Sequence, residues 1–187
     1  YDDTRTRWLY KSEMDALIDA CPLGIKSLTS FLFYTGARLG EATSLRWRDI
    51  VEDSAIFSSR KGRSKKVRRR SVKLSPALLS LLPKRGGSND YVFTNALGNK
   101  WDRKHFYKHF YRACAAAGIE DFKPHDCRHT FASHLVQKGA SLRAVADLLG
   151  HSSLQMVMRY AHLAPSHLES TVSLLWDTDT KEAHTHD

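Results

Sequence analysis

Apolar residues recur at helical spacing along most of this chain and alternate in only one place. The molecule must therefore be built from helices around one small sheet. Met14, Leu17 and Ile18 form the first helical stripe, behind Ser12-Glu13, which offers a capping serine and an acidic first turn. A second helix is expected over 25–34, stopped by Thr35-Gly36, and a short one over 37–45, with 47–50 leading out of it. Strands are expected over 55–59 and 69–74, where Val72 and Leu74 alternate with Ser71 and Lys73, and Lys61-Gly62-Arg63-Ser64 suits the hairpin turn between them. Ser75-Pro76 opens another helix, with proline at its first position. The Gly-rich loop 84–90 is a candidate lobe boundary, and 91–93 is a short apolar segment. A helix over 102–117 is closed by Gly118. After Pro124, helices are expected over 129–137, 142–149 and 153–164, the last ended by Pro165, and a further one over 166–176. The fold class is mainly α with a small antiparallel β-sheet (α+β). Residues 1–176 would form one domain and 177–187 a polar, disordered tail.

Charge is concentrated. The chain carries 29 Lys and Arg against 20 Asp and Glu, a net +9. Arg60, Lys61, Arg63, Lys65, Lys66, Arg68, Arg69 and Arg70 supply nearly all of that excess, with no acid among them. Such a segment suits a polyanion, nucleic acid first; a solvated loop or a localisation signal is the plainer reading. The 42% hydrophobic content permits a real core. No apolar run approaches the ~18 residues of a membrane span. No secretory signal is visible, and a start at Tyr1 suggests a fragment lacking something upstream. Cys21, Cys114 and Cys127 are odd in number and scattered, which fits a reduced, cytosolic protein.

Three constellations carry chemistry. In Thr35-Gly36-Ala37-Arg38-Leu39-Gly40-Glu41, Arg38 and Glu41 share a helix face, and an arginine beside two glycines can approach a phosphate closely. A surface ion pair is the plainer reading. In Pro124-His125-Asp126-Cys127-Arg128-His129-Thr130, His125 and Arg128 again share a face, a cationic fork beside an imidazole. His125, Cys127 and His129 lack a second ligand pair at metal spacing, so zinc is disfavoured. In Leu149-Gly150-His151-Ser152-Ser153, nine residues before Tyr160, an unbroken helix would set His151 and Tyr160 on opposite faces. Ser152-x-x-Gln155 fits a capping box, which starts a new helix and leaves His151 in the turn. Ala146, Gly150 and Met156 also match a helix-turn-helix with 153–160 as recognition helix. That rival leaves Arg38 and Arg128 unexplained, whereas a phosphoryl-transfer site uses all three constellations.

Together with Met-Arg-Tyr-Ala-His-Leu around Tyr160, these motifs make the sequence resemble the catalytic domain of the tyrosine recombinases, the phage-type integrase family. The resemblance covers about residues 12–176. It implies that Arg38 and Arg128 clamp the scissile DNA phosphate. It also implies that His125 and His151 hydrogen-bond that phosphate, with His125 the first choice to accept the tyrosine proton. Tyr160 would be the nucleophile, leaving a 3′-phosphotyrosyl intermediate, and a hairpin lysine would protonate the leaving oxygen. Lys61 fits counting forward from Asp49-Ile50, and Lys65 fits counting backward from Val72-Lys73-Leu74; Lys61 is preferred. Glu41 would support the site. Arg60, Arg63, Lys65, Lys66, Arg68, Arg69 and Arg70 would bind DNA. Cys127 replaces the usual leucine, and Lys73 a common proline. No Gly-rich nucleotide loop is visible, and neither cofactor nor metal is implied. The expected partners are double-stranded DNA, further copies in a tetramer, and an upstream core-binding domain. The expected setting is a bacterial or phage-derived, nucleoid-associated cytoplasmic protein. Topoisomerase-like DNA relaxation and a non-catalytic helix-turn-helix regulator remain the alternatives.

Overall fold

The computed structural model describes residues 6–60, 67–151 and 153–165. The turn at Lys61, the cap at Ser152, the helix over 166–176 and the tail 177–187 lie outside the described residues.

The N-terminal segment docks before it coils. Leu9 N donates to Thr130 Oγ1 (3.2 Å), and the Leu9 carbonyl meets His134 Nε2 (2.8 Å). Helix α1 (Lys11–Ala20) follows directly. Ser12 therefore falls inside the helix instead of capping it. The Glu13 carboxylate supplies the cap by accepting the Tyr10 N–H at 2.7 Å. Pro22 leads into α2 (Leu23–Thr35), whose buried residues include Ile25, Leu28, Phe31, Leu32 and Phe33. They point to several sides because α2 is the central helix, packed by α1, by α3 (Leu39–Thr43) and by later helices.

The sheet is antiparallel, in the order β1 (Ile50–Val51), β2 (Ser54–Arg60), β3 (Val67–Lys73). Ala55, Phe57 and Val72 turn inward and Arg69 outward, the two-residue alternation of a half-buried hairpin. Ser75 caps α4 (Pro76–Leu81) by accepting the Leu78 N–H (3.2 Å). Asp102 caps α5 (Arg103–Ala116).

Helix α6 (Asp126–Gln137) starts three residues before the expected position. The Asp126 carboxylate reaches back to the Lys123 N–H (2.8 Å) and ties the entry, so His125 and Arg128 both belong to the first turn. Helix α7 (Leu142–Leu149) matches its expectation, capped by the Ser141 hydroxyl and ended by Gly150 in the left-handed region.

The helix expected over 153–164 does not form. Two 3₁₀ turns, Leu154–Met156 and Met158–Leu163, stand there, with the Ser153 hydroxyl accepting the Gln155 N–H. Val157, Tyr160 and Leu163 are three apart, and three residues per turn is the winding that aims all of them at one core. No recognition helix is left for a helix-turn-helix.

The core divides into a large cluster from Leu9 to Cys127 and a smaller one that joins Ala132, Val136, Val145, Leu149, Val157 and Tyr160. The division lies within α6 and not at 84–90. That loop is stitched back by Trp47 N to Asp90 O (3.0 Å) and Arg48 N to Ser88 O (2.9 Å). Cys21, Cys114 and Cys127 are all buried free thiols, and burial pushes the Cys127 thiol well up. Among the described residues, no helix is long and apolar enough to cross a membrane.

Candidate active site

Gly36 starts the site. Its φ is +61°, and a Cβ there would stand 2.5 Å from the Phe131 ring and 2.9 Å from Leu149. Only glycine lets α2 end against α6 and α7 and turn the chain toward Arg38. Arg38 caps α3. The Glu41 carboxylate accepts its N–H (2.8 Å) and its guanidinium (3.2 Å). From β3, Arg70 grips the same carboxylate with two bonds of 3.0 and 2.7 Å and lays its guanidinium 4.5 Å from the Phe57 ring centroid. Burial pushes the Glu41 carboxyl up, but the Arg70 bonds, the Arg38 N–H and the two cationic charges outweigh it and hold the group at about 2.

Arg128 is 3% exposed. It donates to the carbonyls of Gly36 (2.7 Å) and Leu149 (2.5 Å) and to His151 Nε2 (2.9 Å). One side chain thus fastens together the ends of α2 and α7 and the turn that carries His151. Burial lowers its pKa to about 9; the charges of Arg38 and Arg70 lower it too, while Glu41 and Tyr160 oppose the fall. It remains a cation at neutral pH. Gly150 and the bond from His151 N to the Ala146 carbonyl (2.9 Å) fix the turn that aims His151 inward.

Tyr160 is buried at 2% exposure, and its hydroxyl lies 2.5 Å from His129 Nδ1. His129 meets His125 edge-on, with ring centroids 5.2 Å apart. His125 is exposed, His129 half-buried and Tyr160 buried, so the three rings lead from solvent into the smaller core. Arg38, His125 and His129 line a cleft of about 760 Å³, together with Lys100, Arg103 and Arg159.

The structure thus brings Arg38, Glu41, His125, Arg128, His151 and Tyr160 around α6. Lys61, Arg63, Lys65 and Lys66 lie outside the described residues. Arg60 and Arg68 sit on the paired strands, opposite Val67 and Ser59. Arg69 is exposed, whereas the Arg70 side chain is only 8% exposed and turned onto Glu41. That placement corrects its grouping with the DNA-facing arginines: strand alternation sends neighbours to opposite faces. Sequence reasoning also missed His129, although its four-residue spacing from His125 marks a shared helix face. Lys100, Arg103 and Arg159 were missed because isolated bases carry no pattern.

Residues 7–167 match the phage integrase family. The integrase of Salmonella phage P22 is 36% identical over 176 residues, covering 88% of this chain and 46% of the relative. Among solved structures, the catalytic domain of bacteriophage HP1 integrase superposes with a TM-score of 0.75 at 31% identity, over 94% of this chain and 98% of that one. A XerH site-specific recombinase bound to difH substrate before cleavage gives a TM-score of 0.67 at 26% identity, over 91% of this chain and 54% of that one. The chain spans about half the length of the P22 relative. By the extent of the match and the architecture it shares with these proteins, this chain belongs to the phage integrase family.

Proposed function

We propose that the chain is the catalytic domain of a site-specific DNA recombinase in which Tyr160 attacks the scissile phosphate. The observation that carries this reading is the gathering of two buried or half-buried arginines, three histidines and one tyrosine about the start of α6. A phenol of pKa ~10 needs a proton acceptor to attack at neutral pH, and the His129 imidazole stands beside it. Charge that builds on the phosphorus oxygens needs fixed donors. Arg128, locked by two carbonyls, is preorganised for that, and Arg38 projects into the cleft beside it. His151, whose Nε2 accepts from Arg128 at 2.9 Å, stands beside that guanidinium.

Attack forms the bond from Tyr160 Oη to phosphorus and releases the 5′-oxygen, which takes a proton from a hairpin lysine, Lys61 or Lys65. The 3′-phosphotyrosyl link conserves the phosphoester energy, so exchange and religation need no ATP. Arg60, Arg63, Lys65, Lys66, Arg68 and Arg69 grip the DNA backbone, while Arg70 holds the hairpin against Glu41. The working assembly is a tetramer on paired sites, with a core-binding domain upstream, in a phage or bacterial setting.

The test is incubation with a pool of nicked duplexes randomised around the nick, followed by denaturing electrophoresis. A covalent adduct at the DNA 3′ end, lost in Tyr160→Phe, is the expected result. An adduct that survives Tyr160→Phe overturns the nucleophile. Relaxation of a supercoiled plasmid, with no recombinant from paired sites, would replace recombination by relaxation. Lys61→Ala and Lys65→Ala assign the acid: the true one is rescued by a 5′-bridging thiolate leaving group.

A further inference from the structure

The resemblance assigns the tyrosine proton to His125, but the ring against Tyr160 is that of His129. Its Nδ1 lies 2.5 Å from Tyr160 Oη, with the ring centroids 6.0 Å apart and the planes tilted by 48°. His125 meets His129 edge-on, one helical turn away. Arg128, the residue between them in the chain, is a guanidinium and accepts no proton. His129 also lines the cleft that Arg38 enters, so it stands between that cleft and the buried hydroxyl.

We propose that His129 is a catalytic residue: its Nδ1 holds the Tyr160 hydroxyl and takes its proton as the phosphate is attacked. The inference rests on the reading of Tyr160 as nucleophile. A phenol O–H donates, and Nδ1 accepts when the ring proton is on Nε2. In the forward step the O–H bond breaks, Nδ1–H forms, Oη bonds to phosphorus and the bond from phosphorus to the 5′-oxygen breaks. The leaving oxygen takes its proton from the hairpin lysine. In religation the 5′-hydroxyl attacks, the bond from phosphorus to Oη breaks, and Nδ1–H returns its proton to Tyr160. His125, exposed at the mouth of the cleft, is left to the phosphate oxygens.

His129→Asn separates holding from proton transfer, because the amide oxygen stands near the place of Nδ1 and accepts a hydrogen bond but no proton. Single-turnover cleavage of the nicked duplex by the 187-residue chain is expected to fall ~10²- to 10⁴-fold in that variant. Replacing Tyr160 by 3,5-difluorotyrosine, whose phenol ionises more readily, is expected to restore much of the loss. The same replacement is expected not to rescue His125→Asn. Cleavage by His129→Asn at the wild-type rate, or a loss that fluorination leaves unchanged, overturns the proposal. Nitrogen NMR of the DNA-free wild-type chain decides independently of whether the variant folds. His129 Nδ1 is expected to be unprotonated and to shift in Tyr160→Phe; a protonated Nδ1 overturns the proposal. An adduct surviving Tyr160→Phe would sink the nucleophile reading itself. An adduct lost there but formed normally by His129→Asn would sink only the role of His129.

Discussion

Glu41 shows how one carboxylate makes a cationic site foldable. Its side chain is 14% exposed and that of Arg70 8%, so neither charge is well solvated without the other. Its pKa is depressed from 4.5 to about 2, so its contribution is fully present above pH 4.5 and is lost as pH falls from there through 2. The shift corresponds to about 3 kcal/mol. Glu41→Ala is expected to lower unfolding free energy by roughly that amount at pH 7 in urea titrations. It should also flatten the acid limb of stability against pH. Arg128 makes the complementary case. Lysine keeps the charge but lacks the planar fork that serves Gly36, Leu149 and His151 at once. Arg128→Lys is therefore expected to cut adduct formation at least ~10²-fold, a loss of fixed transition-state donors read in single-turnover assays.

Among the elements, the junction of α2, α6 and α7 is the least tolerant. Gly36 combines a left-handed backbone with a Phe131 ring that leaves no room for a methyl group. Gly36→Ala is expected to destabilise by about 2–4 kcal/mol, the sum of backbone strain and overpacking, measured by thermal or chemical unfolding. The same junction carries the Gly36 carbonyl to Arg128, so activity should fall with stability. The 3₁₀ segment that bears Tyr160 is held by Val157, Tyr160 and Leu163 and not by a long run of helical bonds. Helix 142–149, the strand pair and the Ser75-Pro76 start of α4 were legible because each rests on a local signal: a period, a cap or a stop. The 3₁₀ segment was not legible. Its winding is chosen by the core it must reach, and an amphipathic stretch looks the same from sequence whether it winds at 3.6 or at 3.0 residues per turn.

For the whole molecule, the net +9 is unevenly used. Binding to duplex DNA is expected to weaken linearly in log affinity against log salt. Arg63→Ala, Lys65→Ala and Lys66→Ala should each lower that slope by up to about 1, read by fluorescence anisotropy at several salt concentrations. Arg70→Ala should instead show mainly as lost stability, because its charge is already spent on Glu41. The sequence by itself determined the helical class and the single hairpin, which follow from residue type and local spacing that short-range physics reads directly. Its motifs put forward Arg38, His125, Arg128, His151 and Tyr160 as one candidate set through the family resemblance they carry. Only the tertiary structure decided that Arg70 faces inward, that Arg128 is the clasp of three chain segments, and that His129 Nδ1 stands at the tyrosine hydroxyl. Each of these depends on which side chains from distant parts of the chain share a few ångströms, and that is settled by packing α6 against the ends of α2 and α7.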